Sequence, residues 1–180
     1  LAELVGAREF QSTAARAGAE SILQLSLRGV TPNMIDISPE KVARGRYLTE
    51  TEYRTRAHVA FVGTDLTDRF FPYTDPVGKT VLLNGHPFEI VGVAEKMGTA
   101  FGQSQDNFAY IPLTTLHKLW GRGDPDWSGV RVAIKTSDPM GMEQAKEQAR
   151  ALMRARRGLK PDAPDNFGVV ASESLQAIWN

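Results

Sequence analysis

Asn84-Gly85 sits between two apolar runs, Thr80-Val-Leu-Leu83 and His86-Pro-Phe-Glu-Ile-Val-Gly-Val93, and constrains this chain more than any other feature. A two-residue type I′ turn needs positive φ at both central positions, which Asn and Gly adopt at low cost, so the segment predicts a β-hairpin. In that register Leu83 and His86 are the hydrogen-bonded pair beside the turn. Pro87 then lies opposite Leu82 at a non-hydrogen-bonded pair, where its missing N–H leaves the ladder intact. Upstream, Asp75-Pro76-Val77-Gly78 predicts a type I turn with Asp at i, Pro at i+1 and Gly at i+3.

The same geometry argues against a nucleotide site at Gly78-Lys79-Thr80. A phosphate loop requires G-x-x-x-x-G-K-[ST] between a strand and a helix, so that loop amides and the helix N-terminus hold the phosphates together. The position of its first glycine is Tyr73, and Thr80 opens a strand.

Other chemistry is equally weak. The 180 residues can bury one core or two small lobes, and 21 basic against 21 acidic residues exert no global pull toward nucleic acid or anionic lipid. Without cysteine there is no disulfide, thiolate metal site or thiol nucleophile. His58, His86 and His117 are far apart and form no metal-binding pair. Gly102-Gln-Ser104-Gln-Asp106 departs from the nucleophile elbow G-x-S-x-G at its last residue and follows a loop, leaving a hydrolase using Ser104 as a minor alternative. No spacing selects a carboxylate pair. The reading is of a non-enzyme with no catalytic residues, cofactor or metal. No apolar run approaches the roughly 20 residues of a membrane span, and no signal peptide is present. Beginning at Leu1 without an initiator Met, the sequence reads as an excised soluble piece of something longer.

Along the chain, Leu1 to Val5 has no clear pattern, and the alanine-rich Gln11 to Glu20 predicts a short helix or a loop. Ser21 to Leu27 alternates, with Leu23, Leu25 and Leu27 on one face of a half-buried strand. The chain turns from Gly29 to Asp36. Glu40 to Arg54 is charged, with a bend at Gly45 and a short polar helix from Thr49. His58 to Val62 predicts a buried strand and Thr64 to Phe71 a helix capped by Thr64. Lys96 to Phe108 is a long Gly- and Gln-containing loop, followed by a strand at Ala109-Tyr-Ile111 and a helix over Leu113 to Trp120 with Pro112 in its first turn. Gly121 to Gly129, almost wholly turn residues, is the clearest boundary. Beyond it the pattern is strand (Val130–Ile134), helix (Met140–Arg157), strand (Phe167–Ala171). The helix carries Asp138 as cap, Pro139 at its first position, an apolar stripe of Met142, Ala145, Ala149 and Leu152, and Gly158 as stop. Arg154, Arg156, Arg157 and Lys160 cluster at its end, where they complement the helix dipole; the alternative is a contact with lipid headgroups or an acidic partner.

Phe101, Trp120 and Trp127 border the two most irregular loops. Exposed aromatics there would anchor an interface, whereas an aromatic beside a loop more commonly plugs a small core. The candidate partner-binding residues are Phe101, Gln103, Gln105 and Trp127.

Read in order, Gly29-Val-Thr-Pro-Asn33, Gly45-Arg46-Tyr47, His58-Val-Ala-Phe-Val-Gly63, Asp75-Pro-Val-Gly-Lys79, Pro87-Phe-Glu-Ile-Val-Gly-Val93 and Ile111-Pro-Leu113 resemble the MacB-like extracytoplasmic core domain of MacB/FtsX-type ABC permeases. The resemblance spans Gly29 to Leu113. It implies an α+β fold of two lobes: a porter-like βαβ lobe from residues 1–30 and 122–180, its first unit incomplete because the opening strand-helix is short or absent, and an inserted, mostly β lobe from 31–121. It further implies a periplasmic location between the first two helices of an inner-membrane permease, and an ATPase in a separate domain or subunit. The implied partners are the flanking transmembrane helices, that ATPase and a periplasmic adaptor or carrier protein. The role is to transmit conformational change and dock a partner. The alternative is a solute- or peptide-binding module using the cleft between lobes.

Overall fold

A computed structural model of the chain describes residues 2–121, 129–136 and 141–170. The architecture is α+β, and the chain separates into one compact unit of Val5–Ala133 and another formed by Leu1–Leu4 with Ile134–Asn180.

The larger unit contains β1 (Ala2–Ala17) from residue 5 onward, β2 (Glu20–Val30), a 3-10 turn (Pro32–Asp36), β3 (Val42–Gly45), α1 (Glu50–Thr55), β4 (Val59–Val62), α2 (Thr64–Phe70), β5 (Thr80–Leu83), β6 (His86–Ala94), β7 (Thr99–Ala100), β8 (Gln103–Ser104), β9 (Phe108–Pro112) and α3 (Leu113–Trp120). The pairing path runs β1-β2-β9-β4-β6, and β5 pairs with both β6 and β1, so six strands close on themselves. Closure leaves these strands without a free edge along the paired stretches, the usual liability of a β fold. β3 pairs with β6 beyond the end of β5. The β2/β9 and β4/β6 pairs are parallel and the others antiparallel.

Strand periodicity divides the apolar side chains into two cores. One draws on every strand of the ring: Ala15, Leu25 and Leu27, Ala60 and Val62, Val81 and Leu83, Phe88, Ile90 and Val93, Ala109 and Ile111, with Leu66 of α2 and Leu116 of α3. The alternate residues Val59, Phe61, Val91, Phe108 and Tyr110 face a second core with Val30, Met34, Tyr47 and Leu48. Buried on both faces, β4 and β9 are continuous apolar runs.

The first hairpin forms as its turn chemistry demands. Leu83 pairs with His86 and Leu82 with Pro87, and Asn84 and Gly85 have φ of 47° and 81°. The preceding turn is displaced by one residue from the expected type I turn at 75–78. Lys79 N–H donates to Pro76 C=O, which puts Gly78 at i+2 with φ 82°, while the Asp75 carboxylate accepts from Val77 N–H. A glycine available for positive φ favours this type II arrangement.

Three other expectations are corrected. Gln11 to Ala17 is neither helix nor loop but the end of β1, paired with β2, whose register shifts so that Leu23 and Gln24 of β2 stand opposite Ala14. Pairing overrides the low β-propensity of alanine, and the small Ala15 fits the inner core. Leu23 leaves the buried face of β2 and is 81% exposed. Thr64 does not cap α2: Gly63 is the N-cap without a side-chain bond, because its bare Cα lets the Asp106 carbonyl approach to where a Cβ would be only 2.1 Å away.

The polar helix expected from Thr49 is α1, closed by a capping box. Thr49 N–H donates to Glu52 (2.9 Å), Glu52 N–H donates to Thr49 Oγ1 (3.3 Å), and Arg46 grips both Glu52 oxygens at 2.7 and 2.9 Å. The Arg46 hydrogen bonds, reinforced by those from Thr49, hold the Glu52 carboxyl below its usual range against some desolvation. A carboxylate with a lowered folded-state pKa stabilises the fold above its unfolded pKa and loses that contribution as pH falls through the folded value. Glu52→Gln is therefore expected to cost about 1 kcal/mol at neutral pH and progressively less in acid. Urea melts at neutral and acid pH test this; a pH-independent difference would refute it.

In the smaller unit, α4 (Gly141–Arg156) ends at Gly158, whose φ is 61°. Along its expected stripe Ala145 is buried, Met142 and Ala149 are half-buried, and Leu152 is exposed. Asp138 and Pro139 lie outside the described residues. The strand expected at Phe167–Ala171 does not form over residues 167–170, and Ala171 lies outside the described residues. Local side-chain bonds organise this stretch instead: Arg154 donates to the carbonyls of Lys160, Pro161 and Ala163 and to Asp165, and Arg157 to Asn166. β10 (Arg131–Thr136) is the expected strand at Val130–Ile134, extended to Thr136, and it spans the boundary between the units.

Candidate functional site

The loop expected from Lys96 to Phe108 contains a small hairpin. β7 and β8 pair Thr99 with Ser104 and Ala100 with Gln103, and Gln105 N–H donates to Gly98 C=O at 2.9 Å. Phe101 and Gly102 form its two-residue turn, with φ of 51° and 77°, the type I′ signature seen at Asn84-Gly85. Left-handed backbone is routine for Asn and Gly but strained for an aromatic residue. The strained residue is also 90% exposed. Gln103, Ser104 and Gln105 beside it are exposed, and Met97 at the root is 40% exposed.

A buried carboxylate fixes the hairpin's root. Asp106 is 1% exposed, and its two oxygens accept the N–H groups of Met97 (2.8 Å) and Gly98 (2.7 Å). Its own N–H donates to Ser104 Oγ (3.1 Å), and its carbonyl accepts from Asp65 N–H. Asn107 continues the anchorage by donating through Nδ2 to Gln24 C=O, while its carbonyl accepts from Ser26 N–H. The hairpin thus projects from a rigid seam between β2, β9 and the start of α2.

Phe101, Gln103 and Gln105 are therefore together, and Trp127 lies outside the described residues. Trp120 is a core plug, stacked on Phe88 at 6.5 Å and edge-on to His86 at 5.4 Å. The histidines are dispersed: His58 stacks on Phe88 and His117 Nε2 is 2.6 Å from the buried Glu9. Among the described residues no group of three His, Asp or Glu could hold a metal ion. Ser104 accepts a backbone N–H, and no histidine bonds to it among the described residues. Gly78 and Lys79 amides donate to Ile90 and Pro76 carbonyls, so neither faces an anion. Of the basic cluster, Arg154 and Arg157 are engaged in the loop after α4. Sequence reasoning missed Asp106 and Gly63 as the groups that seat the hairpin. Of the turn residues only Gly102 was a turn signal in the sequence, since Phe at the first central position is not a turn former.

The family model of the MacB-like periplasmic core domain matches residues 2–152. The chain belongs to that family. Among relatives of this MacB-like domain, the "Macrolide export ATP-binding/permease protein MacB" of Neisseria meningitidis serogroup A is 28% identical over 157 residues, 87% of this chain and 23% of that protein. The "Pyoverdine export ATP-binding/permease protein PvdT" of Pseudomonas savastanoi pv. phaseolicola is 32% identical over 138 residues, 74% of this chain and 20% of its own. The MacB-like domain thus spans about a quarter or less of each relative's length. The solved periplasmic region of MacB from Actinobacillus actinomycetemcomitans shares the fold, with a TM-score of 0.79 and 23% identity over 99% of this chain and 77% of that one. No described helix of the MacB-like domain is long and apolar enough to cross a membrane.

Proposed function

We propose that this domain is the periplasmic part of a MacB/FtsX-type ABC permease, non-catalytic, and that it docks a partner protein and transmits conformational change to it. The parent is an inner-membrane protein whose transmembrane helices and ATPase, on the same or another chain, lie outside this sequence. The domain is two-lobed in this reading, with a porter-like lobe and an inserted, mostly β lobe. Substrate chemistry belongs to the parent: the relatives' names speak of macrolide and of pyoverdine export for the same kind of domain.

One observation carries the docking role. A bulky aromatic occupies a left-handed turn position that glycine or asparagine would fill with less strain, and it is displayed on a hairpin whose root is locked by Asp106. Exposed aromatics on a rigid mount lose little entropy on binding and make efficient anchors. Gln103 and Gln105 supply hydrogen-bonding groups beside it, and Trp127 completes the candidate set. The partner is a periplasmic adaptor or carrier.

The test is photo-crosslinking in the membrane-embedded parent, with a photoreactive side chain placed in turn at positions 101, 103, 105 and 127. Tyr73, 95% exposed on a different loop, is the control. Discrete adducts are expected at 101 and its neighbours and not at 73. Phe101→Gly is expected to weaken capture of the crosslinked partner by roughly tenfold or more, a hot-spot loss, without lowering the melting temperature, because glycine relieves the backbone strain. Equal adducts at 101 and 73, or unchanged capture by the glycine variant, would count against the reading.

A further inference from the structure

β2 displays a leucine that the alternation of the strand assigns to the core. Ile22 packs against the inner core and Leu25 lies within it, three positions apart where a regular strand places inward residues two apart. The pairing explains the gap. Thr13 faces Leu25 and Ala15 faces Ile22, so Leu23 and Gln24 together oppose the single residue Ala14. Two residues against one is a β-bulge, a device that re-aims side chains. Both extra positions are exposed, Leu23 to 81%.

The bulge lies at the end of β2 that carries the Phe101 hairpin. Gln24 C=O accepts from Asn107 Nδ2 at 2.7 Å and Ser26 N–H donates to the Asn107 carbonyl at 3.2 Å, so Leu23 stands one residue from the bond that ties β2 to the hairpin's root. Two apolar side chains are thus held in water at one end of the sheet, Phe101 by a left-handed backbone and Leu23 by a bulge. The surface they share is uncharged. No residue from Met97 to Gln105 or from Ser21 to Gln24 is ionisable, in a chain of which 23% is charged. Asp106, which follows, is buried and accepts two backbone N–H groups. The bordering charges in sequence are Lys96 and Glu20, and Glu20 is paired with Arg69 at 3.3 Å. Exposed aromatic, Met and aliphatic side chains in a charge-depleted surround have the composition of an interface core, not of a solvated rim.

We propose that Leu23 is a second anchor of the docking surface on which Phe101 is the first, and that this surface fits a protein partner through an uncharged apolar recess. Gln24, Gln103 and Gln105 supply hydrogen-bonding groups at its margin. The proposal rests on the docking role of the hairpin and names the chemistry of what docks. A strongly charged partner surface would find no counter-charge here, so it would gain nothing from steering or pairing. An apolar recess gains from burying both side chains, and their mounts are already fixed by strand pairing and by Asp106, so little ordering entropy is lost.

The test uses the membrane-embedded parent with a photoreactive side chain at position 23 or 101, and position 73 as the control. An adduct of the same mass is expected at 23 as at 101, and none at 73. With the photoreactive group at 101, Leu23→Ser is expected to lower the adduct yield roughly tenfold, the loss for a leucine no longer buried against a partner. Its melting temperature should stay within about 2 °C of the parent's, since the side chain is exposed in the free domain. Raising NaCl from about 0.05 to about 0.5 M is expected to leave the yield undiminished, because no ion pair is there to be screened. An adduct at 101 with none of that mass at 23, or an unchanged yield in Leu23→Ser, overturns the second anchor and leaves the hairpin's role standing. A yield that falls several-fold with salt overturns the uncharged recess. Absence of adducts at both positions overturns this proposal and the docking role together.

Discussion

Gly92→Ala is expected to destabilise the chain by about 4 kcal/mol or more, a large fraction of an ordinary total stability of about 5–15 kcal/mol. A Cβ at Gly92 would stand 2.0 Å from the Arg46 carbonyl oxygen, 2.8 Å from its carbon and 2.9 Å from its nitrogen. All three are backbone atoms, so no side chain can turn aside. Gly92 faces Gly45 across β3 and Phe61 across β4, which clamps β6 from both sides. Gly45 is equally close, its own Cβ position being 2.3 Å from the Val91 carbonyl at a φ of 69°. Relieving the clash requires residues 45–47 to move off β6, breaking the Arg46 N–H to Val91 bond and drawing Tyr47 and Leu48 out of the second core. Gly18→Ala is the control. That glycine has φ of 58° but nothing within 4 Å of its Cβ position, so only a turn penalty of about 1 kcal/mol is expected. Urea unfolding compares the two; equal losses would show that the close approach at Gly92 carries no energetic weight.

Phe61→Ala is expected to cost about 3–5 kcal/mol, the range for removing a fully buried phenylalanine. Its ring is 0% exposed and is surrounded by Tyr47 at 4.9 Å, Tyr110 at 6.2 Å and Phe108 at 6.4 Å. These contacts come from β9 and from the segment before α1, each held by backbone pairing or a capped helix, so the cavity cannot easily collapse. Phe61→Leu should recover most of the loss, to within about 1.5 kcal/mol of the parent. A midpoint shift without a change in denaturant slope is expected in both variants. A loss below about 1 kcal/mol for the alanine variant would mean that the core relaxes freely around position 61.

The hairpin at Asn84-Gly85 and the short helix from Thr49 were readable because each depends on residues a few positions apart, whereas the capping box that closes the helix was seen only in the structure. Residue identity at a turn sets φ, and φ sets the register that follows. The turn at 75–79 shows the limit of such local reading. Asp75, Pro76 and Gly78 satisfy two turn types one residue apart, and the bond from Gly78 N–H to Ile90 C=O ties the chosen one to β6. β1 was missed because alanine-rich sequence has no strand signal of its own; it becomes a strand because β2 and β5 offer it partners. The candidate site was half legible. Phe101, Gln103 and Gln105 were singled out from the composition of a loop, yet the strained conformation of Phe101 became visible only with the backbone.

From the order of residues alone follow a tight hairpin with a known register, a buried strand, a short polar helix and a Gly-Lys-Thr that turns the chain instead of gripping phosphate. Closure of six strands into a ring, the seating of the hairpin by Asp106 and the hydrogen bonding of Tyr110 to Arg28 and Glu40 follow from none of these. Glu40 and Tyr110 are separated by 70 positions, and Asn107 reaches Gln24 across 83. Turn preferences act over three or four residues, whereas such contacts exist only after distant segments have been brought together by burying their apolar faces, and no local pattern encodes which ones will meet.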